Sequence, residues 1–354
     1  MLDSGTPLLR KFWYLVLPGA ALKPGRMCAK QVMGEPLLLG RETGGGVFAL
    51  CDVCPHRGVP LSYGDFDGRE VACCYHGWRF ATDGRCTAIP SLVPGQDFEV
   101  GRIKTRAYPC REVQGNIWVF IGDEKARASE GNGVALPPVP QVPDMAEAPP
   151  QISLSRLFPC DADHAAYGLM DPTHAAFVHT SWWWKRKARQ LRQKEKHFEP
   201  APLGWRMKRH RLPPENRAYK LLGDEVSTEI TYSLPGIRIE HIQGTRHSAV
   251  ALTAITPLTA GQTEVHQCLY WTPGWLAPFK PLAKKLAGIF LEQDLDMVIK
   301  QQEGLAHAPS LTLVDDADTQ AKWFFRLKRE WLRAQEEDRD FQNPLKEKTL
   351  HWMS

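Results

Sequence analysis

Two short loops place the strongest constraint on this chain. Cys54-Pro55-His56 and Cys73-Cys74-Tyr75-His76 are separated by sixteen residues, and each supplies one thiolate and one imidazole. Four such donors meet only if a fold holds two loop tips together, so the residues around them must build that holder. Zinc accepts two thiolates and two imidazoles, but zinc-finger spacing pairs cysteine with cysteine and histidine with histidine. Here each loop carries one of each. A two-iron cluster with thiolates on one iron and imidazoles on the other uses this mixed pattern. On that reading Cys54 and Cys73 hold one iron, and His56 and His76 hold the other.

A second constellation follows in Asp171-Pro172-Thr173-His174-Ala175-Ala176-Phe177-Val178-His179. Two histidines and a carboxylate can face one iron and leave open positions for O₂ and a substrate. A five-residue separation turns about 140° around a regular helix, so the two histidines predict a helix end or a local bulge between them. The carboxylate is sought further along. Leu286 to Gln302 reads as a helix offering Glu292, Asp294 and Asp296. Neighbours at helical spacing of Asp294 include Ala287, Phe290, Leu291, Met297 and Val298, an apolar face. Those of Asp296 include Glu292, Gln293, Lys300 and Glu303, a solvated one. A carboxylate on a buried face needs a partner, either a metal or an arginine. Asp294 is therefore the candidate third ligand.

The flanks of the loops, Cys-Pro-His-Arg-Gly at 54–58 and Cys-x-Tyr-His-Gly-Trp at 73–78, resemble the two cluster-binding loops of Rieske proteins. Respiratory members brace those loops with a disulfide, but the corresponding positions here are Val59 and Tyr75. The order of motifs, with Asp171 ninety-five positions after His76, resembles the catalytic (alpha) subunits of Rieske non-haem iron oxygenases over essentially the whole chain. Phe12-Trp13-Tyr14, Gly34-Glu35-Pro36-Leu37 and the short C-terminal half look most like the vanillate O-demethylase and dicamba monooxygenase branch. Glu292-Gln293-Asp294 is similar to that family's late ligand signature.

The resemblance implies an α+β fold, with an antiparallel β Rieske domain followed by a catalytic domain whose antiparallel sheet is flanked by helices. It implies a [2Fe–2S] Rieske cluster on Cys54, His56, Cys73 and His76, and a mononuclear Fe(II) on His174, His179 and Asp294. Asp171 would bridge an iron-ligating histidine of one subunit and His76 of the next, within a head-to-tail homotrimer. Electrons would come from NAD(P)H through a separate flavin and iron–sulfur reductase, with or without a ferredoxin between them. The implied reaction uses O₂ to hydroxylate, or to O- or N-demethylate, a small aromatic or lipophilic substrate. Ring or alicyclic hydroxylation or dioxygenation is the alternative within the family. A Rieske electron-transfer protein without catalytic iron is the alternative of another class. Many relatives place asparagine three residues before the bridging aspartate, where this chain has Gly168. Nearby Asp161, Asp163 and His164 either substitute for it in part or form a solvent-facing segment start.

The chain of 354 residues divides into a strand-rich Rieske domain at 10–122, a linker at 123–150 with six prolines, and a catalytic domain at 151–354. Strand candidates are Gly46–Cys51, Gly115–Phe120, Leu252–Pro257 and Glu264–Trp271, and Lys322–Gln335 has the apolar spacing of a packed helix. Gly44-Gly45-Gly46 lacks the context of a dinucleotide site, which places the flavin or nicotinamide domain on another protein. Phe12–Leu17 ends at Pro18-Gly19 and is too short to span a bilayer. With no basic leader and an odd nine cysteines, the expectation is a reduced, cytoplasmic setting. A net charge of +4 argues against nucleic acid as a partner. Trp182-Trp183-Trp184 precede seven basic residues between Lys185 and Lys196. They read as a solvated basic helix with packed tryptophans, as a lid for a lipophilic or anionic substrate, or as a membrane-surface contact.

Overall fold

The computed structural model describes residues 7–122, 136–179, 191–212 and 217–354. They form two compact units, one of Arg10–Gln141 with Glu147–Pro149 and one built on Val142–Ala146 and Pro150–Ser354. Of the proline-rich segment, residues 123–135 lie outside the described part. The remainder, 136–150, carries no helix or strand, yet Val139, Val142 and Met145 are buried.

The first unit is antiparallel throughout. Phe12–Pro18, Asn116–Ile121 and Cys110–Val113 form a three-stranded sheet centred on Asn116–Ile121, whose six residues are all buried. Arg26–Val32, Glu35–Arg41, Val47–Cys51 and Ala107–Tyr108 form a second sheet. Its first hairpin turns on Met33 and Gly34, both at positive φ (53° and 77°), the backbone that a two-residue turn between twisted strands demands. Arg41 fastens this sheet to the first: its guanidinium donates to Glu112 Oε2 at 2.6 Å and to the carbonyls of Leu22, Gly45 and Gly19. Asp65–Phe66, Glu70–Ala72, Arg79–Ala81 and Cys86–Ala88 form a small third sheet. Leu38, Phe48, Leu50, Leu61, Val71 and Phe80 build one core around Cys54 and Cys73. The cluster loops therefore rest on the hydrophobic centre of the unit.

The second unit holds one eight-stranded antiparallel sheet. Its order is Ile152–Phe158, Gln262–Trp271, Ser248–Thr259, Ile237–Gln243, Ser227–Ser233, Gly204–Arg211, Gln193–Ala201 and Lys348–Met353. The middle six strands are a continuous meander, closed at its edges by the first and last strands of the unit. Among the described residues, four α-helices accompany it: α1 (Ala162–Met170), α2 (Ala175–Val178), α3 (Lys280–Leu305) and α4 (Thr319–Glu336). The expected α+β architecture is borne out. On α4, Phe324, Leu327 and Ala334 are buried as their spacing predicts.

Two sequence expectations need correction. The end of the basic run is not helical: Lys194 and Lys196 lie on the strand Gln193–Ala201, whose exposure alternates with period two against Lys348–Met353. Trp182–Trp184 and Lys185, Arg186, Lys187 and Arg189 lie outside the described residues. The start of α1 is only partly solvent-facing: the Asp161 side chain is 41% exposed but that of Asp163 only 17%. Asp163 takes the ammonium of Lys328, which is 2% exposed on α4, with 2.7 Å to each carboxylate oxygen. Neither charge could be left there without the other, since an unpaired buried ion costs several kcal/mol.

Candidate metal centres

The two cluster loops share one backbone frame. In the first, Cys54 N–H donates to Val59 O (2.8 Å) and Gly58 N–H to Cys54 O (2.9 Å). In the second, Cys73 N–H donates to Trp78 O (2.8 Å) and Gly77 N–H to Cys73 O (3.0 Å). Gly58 and Gly77 both take positive φ (76° and 68°), which a side chain would strain. Each loop thus closes on itself around a buried cysteine, and the histidine stands at the third residue in one and the fourth in the other. Asp52 secures the first loop from below, accepting from Ser62 N–H at 2.7 Å and Ser62 Oγ at 2.6 Å.

The frame brings all four expected donors to one tip. The His56 and His76 rings lie 4.6 Å apart, and His56 stacks on Trp78 at 4.3 Å with an interplanar angle of 5°. Burial pushes the Cys54 thiol up, as do its hydrogen bond and proximity to Cys73. Two buried thiols in contact beside two imidazoles fit a mixed-ligand iron–sulfur cluster. His56 Nδ1 is buried without a hydrogen-bond partner, an uncompensated cost unless something coordinates it. All nine cysteines are free, and Val59 and Tyr75 carry no thiols to cross-link the loops.

The second centre is assembled from distant sequence. Pro172 disfavours the helical conformation for the residue before it, so α1 ends at Met170 and Asp171 is extended (φ −68°, ψ 115°). That bend brings the Asp171 carbonyl to His174 Nδ1 at 2.7 Å. The single turn of α2 then separates His174, at its N-terminal end, from His179, at its C-terminal end (φ −84°, ψ 81°). The predicted helix end is thus present on both sides. His179 Nδ1 lies 3.2 Å from Gln293 Oε1 on α3. Carbonyl oxygens only accept, so both histidines donate from Nδ1, which leaves Nε2 as the atom that can face a metal.

Asp294, the next residue of α3, lies opposite. Its Oδ1 is 3.7 Å from His174 Nε2 and 3.5 Å from His179 Nε2. One ligand atom from each of the three falls within 4.8 Å of the others, the only such grouping among the described residues. His179 Nε2 is buried without a hydrogen-bond partner. Burial pushes Asp294 up to about 6, opposed by His174 and Arg238, and pushes His179 down to about 4. A neutral imidazole and a partly buried carboxylate lacking full compensation suit a divalent iron. Asp296 is instead solvated and paired with Lys300 at 2.5 Å.

Asp171 does not join this triad. Its Oδ1 accepts from Thr173 N–H (2.7 Å) and Thr173 Oγ (2.6 Å), and its Oδ2 lies 3.8 Å from His174 Nδ1. Beside the triad opens a cavity of about 220 Å³ lined by α1, α3 and the segment leading into α4. Phe158, Leu169, Met170, Val178, Met297, Val298 and Leu313 make it apolar. Gln301 donates to Tyr167 Oη at 2.6 Å, a polar pair on its wall. Gly168 also lines it, with open space where a side chain would begin. Asp161, Asp163 and His164 do not, so they do not replace the missing amide. Sequence reasoning missed Tyr167, Gln301 and Phe158. Met297 and Val298 were visible as the apolar neighbours of Asp294, and Phe290 on that same face stacks on His179 at 3.3 Å.

Comparison with known proteins covers both units. Residues 12–109 match the Rieske [2Fe-2S] domain, and residues 159–334 match the vanillate O-demethylase oxygenase C-terminal domain. The 4beta-methylsterol monooxygenase of Methylococcus capsulatus is 37% identical over 131 residues, 37% of this chain and 34% of that protein. The chain thus spans about a third of the length of the curated relatives it matches first. The vanillate O-demethylase oxygenase subunit of a Pseudomonas species is 27% identical over 327 residues, 80% of this chain and 89% of that protein. In fold, the chain is similar to dicamba monooxygenase bound to dicamba, with a TM-score of 0.69 at 22% identity over 93% of this chain and 98% of that one. With both domain families matched in the expected order, the chain belongs to the Rieske non-haem iron oxygenases, as a catalytic alpha subunit of the vanillate O-demethylase branch.

Proposed function

We propose that this chain is the oxygenase component of a multicomponent monooxygenase. Cys54, His56, Cys73 and His76 hold a [2Fe–2S] cluster, and His174, His179 and Asp294 hold a mononuclear Fe(II). The observation that carries this reading is the convergence of two histidine Nε2 atoms and one partly buried carboxylate at the wall of a largely apolar cavity. The same convergence argues against a bare electron carrier, which has no use for three such donors. When bound, the cluster delivers electrons singly and the iron activates O₂.

The chain's own residues fix the rest. Gln293 and the Asp171 carbonyl hold the imidazoles in the coordinating tautomer. Phe290, packed on His179, keeps water from that ring. In the net reaction one oxygen atom enters a substrate C–H bond. The other leaves as water with two electrons from NAD(P)H and two protons. The electrons come through a separate flavin and iron–sulfur reductase, directly or by way of a ferredoxin. Hydroxylation of an O- or N-methyl carbon gives a hemiacetal or hemiaminal that collapses to formaldehyde and the demethylated product. Apart from Asp171, His174, Asp294 and Asp318 the cavity lining is mostly apolar, which supports a small lipophilic or aromatic substrate. Asp171 serves as the bridge between this iron and the His76 side of a neighbouring subunit's cluster, in a cytoplasmic head-to-tail trimer. Its carboxylate supports this role because Thr173 engages Oδ1 alone.

The test joins iron counting to turnover. Three irons per chain, a Rieske-type EPR signal on reduction, and NADH-coupled formaldehyde release from one of a panel of methylated lipophilic compounds are expected. Two irons per chain with the signal intact would remove the mononuclear site. In Asp171→Asn, near-normal electron transfer from the reduced cluster to the iron would sink the bridge.

A further inference from the structure

Helix α3 runs for 26 residues, yet only Leu291 on it is buried. Its middle is anchored by Phe290 on His179 and by Asp294 at the metal centre. Its beginning is different. From Gly274 to Lys285, covering the 3₁₀ turn Gly274–Phe279 and the first turns of α3, no residue is buried. A helical turn lying on a protein body buries one face, and this stretch buries none.

What it exposes is selective. Trp275, Phe279 and Leu282 are 51%, 55% and 56% exposed. Interleaved with them are Lys280, Lys284 and Lys285, and no acid occurs between Thr272 and Leu291. Among the described residues, none of the three lysines joins an ion pair. At 100° per residue, Phe279, Leu282 and Leu286 fall on one side of the helix, while Lys280 and Lys284 fall on the other. Pro273, Pro278 and Pro281 restrict the backbone, so the segment is stiff and needs little ordering on contact. We propose that residues 274–285 form a membrane-surface contact that seats Trp275, Phe279 and Leu282 in the headgroup region of an anionic bilayer, with Lys280, Lys284 and Lys285 on its phosphates.

The charge pattern selects this occupant over another protein surface. A two-fold contact of this face with its own copy would set lysine against lysine, since the segment carries no acid. Anionic lipid rewards both features together, because lysine stems lie along the apolar zone while their ammonium groups stay at the phosphates. Tryptophan prefers the same interface. No helix among the described residues is long and apolar enough to cross a membrane, so the contact would lie on the surface. Further along α3, Met297, Val298 and Gln301 line the cavity. From Leu282 to Met297 is about 22 Å at 1.5 Å per residue, so one rigid element would join lipid to cavity wall.

Vesicle binding needs no turnover, so its failure is distinguishable from failure of the redox chemistry. Full-length, cluster-loaded protein is sedimented with vesicles of phosphatidylcholine, with and without phosphatidylglycerol. Binding is expected on the anionic vesicles and should weaken as salt is raised. Trp275→Ser/Phe279→Ser/Leu282→Ser should lower it at least about tenfold, and Lys280→Glu/Lys284→Glu/Lys285→Glu by about fivefold per lysine. Both variants should keep the cluster spectrum and melting temperature, since every altered residue is exposed or half-buried. No binding at low salt overturns the proposal, and so does binding that neither variant changes. So does a wild-type oligomer that the serine variant dissociates while vesicles are ignored, which assigns the face to a second copy.

Discussion

The two metal centres are built on opposite principles. The candidate cluster site is local: its four proposed donors lie within residues 54–76, and two copies of one self-closing loop place them. The mononuclear site is tertiary. His174 and His179 come from a single turn, while Asp294 arrives from a helix 115 positions further on. The first site depends on backbone hydrogen bonds and on the core beneath Cys54 and Cys73. The second depends on where α3 sits. Local frames survive damage elsewhere, whereas a site shared among elements fails when any one of them moves.

Mutations that touch one centre should therefore leave the other readable. Asp294→Ala has the largest expected effect. Mononuclear iron and all turnover are lost, iron falls from three to two per chain, and the Rieske signal on reduction is unchanged. Loss of that signal would mean the centres are not independent. Gln293→Leu is expected to be milder, because His179 remains but its tautomer is no longer set. Removing such a supporting group typically lowers metal affinity about 10- to 100-fold, which chelator competition would measure, and full affinity would show that Gln293 does not orient the ring.

The smallest effect concerns the cluster-bearing unit alone. Burial disfavours ionised Glu35, but Tyr108 Oη at 2.7 Å, Arg10 and Arg106 outweigh it and hold its carboxyl below the ordinary value of 4.5. A carboxyl depressed by folding stabilises fully above its unfolded value, and that contribution is lost as pH falls through the folded one. The unit should lose stability on acidification below about pH 4.5. In Glu35→Gln the acid limb of its melting curve should flatten, while iron at the second centre is unaffected. An unchanged acid limb would assign the acid sensitivity to another carboxylate.

This contrast also explains what the sequence made legible. The candidate cluster ligands stood out because spacing alone fixes a loop. Asp294 stood out as a candidate for a different reason: an acid among Phe290, Leu291, Met297 and Val298 is a conflict that only a partner resolves. The cavity was not readable beyond that face. Phe158, Tyr167 and Gln301 look like ordinary strand and helix residues until α1, α3 and the first strand of the sheet come together. The Asp163–Lys328 pair was hidden likewise, since its residues stand 165 positions apart. The basic run misled because charge suggested a solvated helix, while the alternation through Gln193–Ala201 marked a strand.

Within each cluster loop, the backbone frame leaves two interior positions that carry neither ligand nor glycine: Pro55 and Arg57 in one, Cys74 and Tyr75 in the other. All four are exposed, and Arg57 lies over the Tyr75 ring at 6.0 Å. The residues that shape the loops and those that face outward are therefore separate sets. Substitutions on that rim can change what the cluster presents to an approaching donor without disturbing how the iron is held. On the proposed reading, choice of redox partner and retention of the cofactor would be open to independent adjustment.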